Sequence, residues 1–141
     1  MTTPAASVMF LALAAALHAG FQLTVTTVVY PALAAVQPSQ WQGAHAAHGR
    51  AITPMVGLTY GALLLACVWS AWANPLTMGV WICIVGAALS MSATAFVAAP
   101  THGRLSAAPD PHLLCRLIRS DQVRAVGALV ALAGGALAAF S

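Results

Sequence analysis

Histidine and arginine are concentrated in a few short stretches of this otherwise apolar sequence. His45, His48 and Arg50 occur together in the stretch AHAAHGR. The two histidines are three residues apart, so in a helix they share one face. Imidazole exchanges protons near neutral pH, and a guanidinium binds phenolates, enolates and carboxylates. The stretch therefore carries groups suited to proton transfer and to anion binding.

Two further stretches contain the same residue types. The stretch PTHGRL contributes His102 and Arg104. A later segment contributes His112, Arg116 and Arg119, which follow the helical spacing i, i+4, i+7 and so form one stripe. If these segments lie at one end of the protein, four of the five histidines converge on one polar cluster.

Three interpretations of this cluster stay open from the sequence. It is an interfacial cap whose arginines neutralise lipid phosphates, an acid–base and anion-binding pocket, or a metal site with His45, His48 and His102 as ligands, since imidazole suits copper, zinc and iron. No cofactor is favoured, and haem and copper stay open. The chain has two Asp and no Glu, which argues against a carboxylate-bridged di-iron centre.

A carboxylate and a second arginine form a separate feature further along the chain. Asp121 falls on the apolar helix face that carries Leu117 and Ile118, and Arg124 lies three residues later. A carboxylate directed into a membrane bundle is costly unless it is paired. The spacing predicts a structural Asp121–Arg124 ion pair, and a proton-accepting role for Asp121 is the alternative.

One histidine lies apart from all of these, in the middle of the first apolar segment. Burial of the His18 imidazole at that depth costs free energy unless the ring is neutral and hydrogen-bonded. Tyr60 or Thr59 is the expected partner. An axial haem role stays open, although the sequence offers no second histidine at that depth.

Length and composition indicate the elements that must position these residues. The chain has 141 residues, is 61% hydrophobic and has a mean hydropathy of +0.89. Apolar runs approach the ~20 residues that span a bilayer. We therefore expect an all-α integral membrane protein with one domain over residues 1–141 and spans at about 5–30, 51–73, 77–99 and 123–140.

Prolines and capping residues predict the helix ends. The first span is expected to end at Pro31 and the third at Pro100. The second and fourth helices are expected to begin before the membrane, with Ser39 as the N-cap of one. Asp110 as N-cap and Pro111 at the first helical position predict the start of the other.

Charge predicts how the helices are oriented. Every Arg and Asp lies in or beside the two connections at 31–50 and 100–124. Arginine-rich short loops stay in the cytoplasm, so both termini are expected on the non-cytoplasmic side of a bacterial inner membrane. Trp69, Trp72 and Trp81 are expected to mark the outer interface, and Tyr30 and Trp41 the inner one. The short connections favour an antiparallel four-helix bundle.

Small residues and partners complete the prediction. Cys67 and Cys83 are interpreted as packing residues, with a disulfide between them left open. Gly57 and Gly61 have the spacing of a helix-packing motif that is common by chance in alanine-rich spans. The expected partners are the lipid bilayer and a lipophilic small molecule, and a homo-oligomer stays open. Five arginines are too few for a nucleic-acid surface.

Short motifs in the second half resemble the anthrone-oxygenase-like family of small four-span membrane proteins. PTHGRL matches a family pattern P-x-[H/N]-x-x-L through Pro100, His102 and Leu105. Asp121 and Arg124 match N-x-x-R, with Asp where the family has Asn and without the aromatic residue usual beside it. A first span that ends in YPAL fits the same plan, which covers most of the chain.

The resemblance implies oxidation of a lipophilic, anthrone-like aromatic by O₂ without a recognisable cofactor motif. A base would remove an acidic proton, and an arginine would hold the resulting anion. The candidate bases are His48, His102 and Asp121. The candidate substrate-binding residues are Arg50, Arg124, His45, His112 and Arg116.

Two other classes of protein are alternatives to this oxygenase-like enzyme. The main alternative is a haem-, metal- or quinone-binding or accessory structural subunit without catalysis. The other is a transporter, which the absence of any glutamate in the first span argues against for proton-coupled export. A chromophore or bound metal favours the binding subunit, whereas O₂ consumption with an aromatic favours the enzyme.

Overall fold

A computed structural model describes residues 5–140. This part of the chain is helical and contains no strand. It has four helices that are long and apolar enough to cross a membrane: α1 (Ala6–Ala34), α2 (Pro38–Ala73), α3 (Met78–Leu105) and α4 (Pro111–Phe140). The four predicted spans are therefore confirmed as four long helices. Each helix is longer than its predicted span.

The helices α1 and α3 share an internal irregularity. Each contains one five-residue π-helical segment, Val25–Val29 in α1 and Thr94–Ala98 in α3. Each segment ends two residues before a proline, Pro31 or Pro100. A proline lacks an N–H group and its ring clashes with the carbonyl four residues earlier. A widened π turn accommodates this change in the hydrogen-bond pattern.

The predicted ends of the first and third helices are wrong for this reason. The widened turns let both helices pass their prolines, so α1 continues to Ala34 and α3 to Leu105. The residues after Pro100, including His102, thus lie on a helix and not in a turn.

The start of α2 also differs from the prediction. A short 3₁₀ turn at Pro38–Gln40 precedes the α-helix Trp41–Ala73. Ser39 lies inside this turn, and the N-cap position is held by Gln40 without a side-chain hydrogen bond. Ser39 is therefore not the N-cap. The α-helix is continuous past Pro54.

The start of α4 confirms its prediction. Pro111 opens the helix, and the Asp110 Oδ1 accepts hydrogen bonds from the backbone N–H groups of His112 at 2.8 Å and Leu113 at 3.1 Å. These bonds satisfy two of the donors that a helix leaves free at its N-terminus. The cap fixes where the basic stripe on the first turns of α4 begins.

Glycines bring α3 and α4 into direct backbone contact. A Cβ atom added at any of four glycines would collide with the backbone of the other helix: Gly79 and Gly86 on α3, Gly127 and Gly134 on α4. Small residues at such positions allow close helix packing in membranes. Gly57 and Gly61 on α2 would instead meet nothing within 4 Å. Their spacing therefore serves no helix contact within the described chain.

The other contacts leave α2 loosely held against α3. Helix α1 packs against α2 and α4, whereas α2 touches α3 only sparsely. At one end, Ser70 Oγ donates a hydrogen bond to the Ser7 carbonyl at 2.9 Å. At the other end, Trp41 Nε1 donates to the Leu105 carbonyl at 2.8 Å. Helix α2 is thus tied to α1 at one end of the bundle and to α3 at the other, and between these ends it makes few contacts with α3.

Aromatic and cysteine residues divide between the core and the surface. Trp69, Trp72 and Trp81 are exposed on the surface of the bundle, and their position at an outer membrane interface stays a prediction. Tyr30 and Trp41 are only 5% and 1% exposed, so neither faces outward from the bundle, and their position at the inner interface stays a prediction. Both belong to a buried cluster at the arginine-rich end of the bundle.

The cysteines behave as packing residues in the core and as a surface residue on α4. Cys67 and Cys83 are buried free thiols in the larger apolar cluster at the other end of the bundle. Cys115 is an exposed free thiol near the start of α4.

Candidate functional site

A cavity of about 330 Å³ lies between the loosely packed helices at the arginine-rich end. All four helices contribute to its lining. Its apolar walls are formed mainly by Phe21, Val25, Ile52, Val56, Ala98 and Ala99. Its polar lining residues are Gln22, Tyr30, His45, His48, Thr53, Tyr60, Thr94, His102 and Arg124. An apolar cavity with a few convergent polar groups is the usual form of a small-molecule site.

Three of the cavity residues form a hydrogen-bonded chain. The Tyr30 hydroxyl lies 3.2 Å from His102 Nε2. His102 Nδ1 lies 3.1 Å from His45 Nε2. Trp41 stacks on the ring of His45 with centroids 5.3 Å apart. Both ring nitrogens of His102 are therefore engaged, so His102 links the tyrosine to His45.

His48 occupies a different position in the same cluster. Its ring stacks on His102 at a centroid distance of 5.5 Å and is tilted toward Tyr30 at 6.3 Å. It is half-buried and lines the cavity. Within residues 5–140, no hydrogen bond occupies its ring nitrogens. His48 is thus the imidazole best placed to exchange a proton with a molecule in the cavity.

A buried ion pair lies beside this cluster. Arg124 Nη2 donates to Asp121 Oδ1 at 2.7 Å, and Gln22 Nε2 donates to the same oxygen at 2.7 Å. Asp121 and Arg124 are 2% and 6% exposed. The Arg124 guanidinium carbon also lies 5.6 Å from the centroid of the Tyr30 ring. The predicted Asp121–Arg124 ion pair is confirmed, and it joins α4 to α1 through Gln22.

Two polar atoms of this ion-pair network have no protein partner. Among the described residues, Arg124 Nε and Gln22 Oε1 are buried and make no hydrogen bond. The same is true of His18 Nδ1. Buried polar atoms are nearly always hydrogen-bonded in proteins. Arg124 and Gln22 both line the cavity. One donor and one acceptor without a protein partner therefore lie buried beside the cavity, on two of its lining side chains.

A second polar group extends the lining toward the middle of the bundle. Ser90 Oγ donates to the Arg124 carbonyl at 3.2 Å and lies 3.2 Å from His18 Nε2. Since the serine hydrogen is used, the bond from His18 requires the hydrogen on Nε2. Tyr60 contacts the His18 ring edge-on at 4.7 Å, and its hydroxyl lies 2.8 Å from Thr94 Oγ1. The expected hydrogen-bond partner of His18 was wrong, because Ser90 takes that place.

The structure brings together about half of the predicted site residues. His45, His48, His102 and Arg124 line the cavity. Asp121 lies behind Arg124 and is not part of the lining. Convergence of the histidines is thus observed for three of the four that the sequence placed in one cluster.

The remaining predicted residues lie elsewhere. Arg50 is exposed and lines neither this cavity nor a second groove between α3 and α4. His112 and Arg116 line a separate groove between α3 and α4, together with Arg119. The basic stripe of α4 therefore faces away from the histidine cluster.

Three residues of the site were not predicted from the sequence. The sequence predicts Tyr30 as an interface residue and Tyr60 as a partner of His18, and it predicts no role for Gln22. A usable signal exists for Gln22, which lies four residues after His18 in an otherwise apolar span. Tyr30 follows a π segment whose position no sequence pattern predicts, so the inward direction of its side chain was not predictable.

The metal interpretation of the histidines has no support in the arrangement. Within residues 5–140, no group of three or more His, Cys, Asp or Glu side chains is arranged to hold a metal ion. His45 and His102 direct a ring nitrogen at each other. The arrangement is that of a hydrogen-bonded relay.

Comparison of the chain with protein-family models, with curated proteins and with solved structures found no match. The resemblance to the anthrone-oxygenase-like family therefore stays a prediction from short motifs. The motif residues do share one structural region, since Pro100 follows the π segment of α3, His102 lines the cavity and Leu105 is fully buried.

Proposed function

We propose that the cavity binds a lipophilic hydroxylated aromatic molecule of the anthrone type and promotes its oxidation by O₂. The observation that carries the proposal is the pair of buried, unpartnered atoms, Arg124 Nε and Gln22 Oε1, on two side chains that line the same apolar cavity as His48. Neighbouring donor and acceptor atoms suit a phenol or enol, whose oxygen accepts one hydrogen bond and donates another. A carboxylate would leave Gln22 Oε1 facing a second acceptor.

The size and walls of the cavity support the same substrate class. Small-molecule sites typically have volumes of about 300–1,000 Å³. At about 330 Å³, this cavity suits a planar molecule of two or three fused rings. Phe21, Ile52 and Val56 provide apolar surface for such rings.

The reaction needs a base and an anion holder from the protein. His48 removes a proton from the ring CH₂ group of the anthrone, and Arg124 stabilises the enolate oxygen. The enolate donates electrons to O₂ and forms a C–O bond, which gives a hydroperoxide after proton return. Loss of the second C–H proton then breaks the O–O bond, so one substrate and one O₂ yield a ketone and one water.

The other cluster residues act through these two groups. Asp121 holds Arg124 in place through its bond to Nη2 and is a positioning residue. The ring of His48 is supported by stacking on His102. Hydrogen bonds connect His102 in turn to Tyr30 and to His45. Because His48 is half-buried, its proton can pass to water at the open side of the cavity.

The test is O₂ uptake by the detergent-purified chain with anthrone as the probe. Val56 lines the cavity, and the larger side chain of Val56→Trp fills it. We therefore expect the rate of O₂ uptake above the uncatalysed background to fall by about 100-fold, because the substrate no longer reaches its position. Leu58→Trp, on the exposed side of the same helix, is the matched control and should keep the rate.

Two results would argue against the enzyme. Uptake that equals the background in the wild-type chain removes the oxygenase proposal. If anthrone quenches tryptophan fluorescence in a saturable way without O₂ uptake, the cavity instead belongs to an aromatic- or quinone-binding subunit without catalysis.

We also propose that the four helices cross a bacterial inner membrane with the arginine-rich end in the cytoplasm. Arg50, Arg104, Arg116 and Arg119 are exposed at the end of the bundle that holds the cavity. Short loops with such an excess of positive charge stay in the cytoplasm. Both termini would then lie on the opposite side of the membrane.

Cysteine labelling tests this orientation. In a Cys115→Ala background the two remaining thiols are buried, so a cysteine introduced at exposed Ala107 reports on the arginine-rich end. We expect a membrane-impermeant maleimide to label Ala107→Cys only after the cells are permeabilised. Leu76→Cys, which is 97% exposed in the opposite turn, should label in intact cells. The reverse pattern would contradict the proposed orientation.

A further inference from the structure

A second, more open groove of about 460 Å³ lies on the outer face of the bundle between α3 and α4. It shares no residue with the cavity described above. Its basic side chains come from the first turns of α4, which the cap at Asp110 places at the arginine-rich end. The lining residues used below are His112, Arg116, Arg119, Ala93, Val97 and Val123.

The charge of this groove is not balanced by the protein. Arg116 and Arg119 are exposed, and no acidic side chain lies in the lining. Of the two Asp residues in the chain, Asp121 is buried against Arg124 and Asp110 caps the helix. Within the described residues, Arg116 and Arg119 form no ion pair. Two guanidinium groups on adjacent turns of one helix face suit a phosphate group, which each can bind through two N–H groups.

The other side of the groove is apolar. Ala93 and Val97 lie on α3, and Val123 lies on α4 beyond the basic residues. Both helices are long and apolar enough to cross a membrane. A ligand that satisfies both parts needs an anionic head and a hydrocarbon tail. Inorganic phosphate satisfies only the first part.

We propose that this groove is a binding site for an anionic glycerophospholipid of the cytoplasmic leaflet. The lipid phosphate binds Arg116 and Arg119 with His112 beside them, and one acyl chain lies along Val97 and Val123. The site does not depend on the proposed oxidation, because its residues lie outside the cavity. It does require that the helices span the membrane, which brings lipid headgroups to the start of α4.

The experiment compares two pairs of substitutions that remove the same charge. The full chain is purified in a neutral detergent, and binding of phosphatidylglycerol and phosphatidylcholine is measured by native mass spectrometry. We expect the wild-type chain to bind phosphatidylglycerol more tightly than phosphatidylcholine. The affinity for phosphatidylglycerol should fall by about 30-fold in Arg116→Gln/Arg119→Gln, because this variant loses two basic groups that face an anionic lipid. Arg50→Gln/Arg104→Gln removes two exposed arginines outside the groove and should change binding by less than threefold.

Two further arms separate the lipid from free phosphate. Val97→Trp fills the apolar part of the groove and should weaken phosphatidylglycerol binding with both arginines still present. Inorganic phosphate should not displace the lipid. Equal losses in the two double variants, unchanged binding in Val97→Trp, or displacement by inorganic phosphate would each overturn the proposal. Because Val97→Trp tests the groove independently, the proposal stays falsifiable even if an arginine variant fails to fold.

Discussion

Replacement of Asp121 by alanine is expected to lower the free energy of unfolding by about 3–5 kcal/mol. The carboxylate is 2% exposed and accepts hydrogen bonds from Arg124 and Gln22, both at 2.7 Å. Its removal leaves the Arg124 cation, which is 6% exposed, without a counter-charge inside the bundle. An uncompensated buried charge costs far more than the pair itself contributes to stability. The measurement is equilibrium unfolding of the detergent-purified chain, with helix content monitored by circular dichroism.

Three matched variants separate this effect from other losses. Asp121→Asn keeps an acceptor oxygen but loses the charge, so its loss should be smaller, about 1.5–3 kcal/mol. The double variant Asp121→Ala/Arg124→Met removes both charges and should be more stable than Asp121→Ala alone. Asp110→Ala removes the other carboxylate, a half-buried helix cap, and should lose only about 1 kcal/mol.

The ion-pair interpretation fails if Asp121→Ala costs no more than Asp110→Ala. It also fails if the double variant is less stable than the single variant, because the two losses would then be independent. The asparagine variant has a second use, since Asn is the residue that the resembled family has at this position. A folded Asp121→Asn protein would show that the surroundings accept either side chain.

Part of this architecture follows directly from the sequence. Four apolar runs predict four long helices, and the Asp110–Pro111 pair predicts the start of α4. The i, i+3 spacing of Asp121 and Arg124 on an apolar face predicts a buried ion pair, because a single charge there would be too costly. Each of these predictions rests on local patterns or on a large energetic cost.

The cavity was beyond the reach of such patterns. It lies where α2 packs loosely on α3, close to the π segments of α1 and α3, and a π turn rotates every later side chain around the helix axis. This rotation places Tyr30 and His102 in contact, whereas a proline read as a helix end predicts a loop. Both π segments end two residues before a proline. Proline in a long apolar helix is therefore better read here as the sign of a widened turn.

The split of the basic residues has a similar explanation. His112, Arg116 and Arg119 share the stripe that their spacing predicts, but the stripe faces the groove of α3 and α4. The direction of the stripe is set by the glycine contacts between the two helices, and Gly127 and Gly134 lie well beyond the polar cluster in the chain. Spacing defines which residues share a face, and packing elsewhere on the helix decides where that face points.

Replacement of His48 by glutamine is expected to reduce turnover of anthrone by about 10²–10⁴-fold while its binding changes little. The glutamine keeps a polar side chain of similar reach but has no basic nitrogen. Arg124 still holds the substrate oxygen, so the loss belongs to proton removal. Turnover is measured as initial O₂ uptake across pH, and binding as fluorescence quenching without O₂.

The pH profile distinguishes a base from a structural residue. A general base works only in its unprotonated form, so wild-type turnover should rise with pH as the imidazole loses its proton. This rise should vanish in His48→Gln, whereas a variant that is merely less stable would keep the same profile at a lower amplitude. His112→Gln removes a histidine from the lipid groove and should leave turnover unchanged.

The outcome also decides between His48 and its neighbours. If His48→Gln keeps the wild-type rate and profile while Val56→Trp still abolishes uptake, the base is another member of the cluster. His102 would then be the next candidate, because Tyr30 and His45 engage both of its ring nitrogens and provide a path for the proton. In that case His102→Gln should remove the rise with pH, and His45→Gln should weaken it by breaking the same chain. His48 stands first because no hydrogen bond occupies its ring nitrogens within residues 5–140, and His102 stands second because its hydrogen-bonded chain can carry a proton onward.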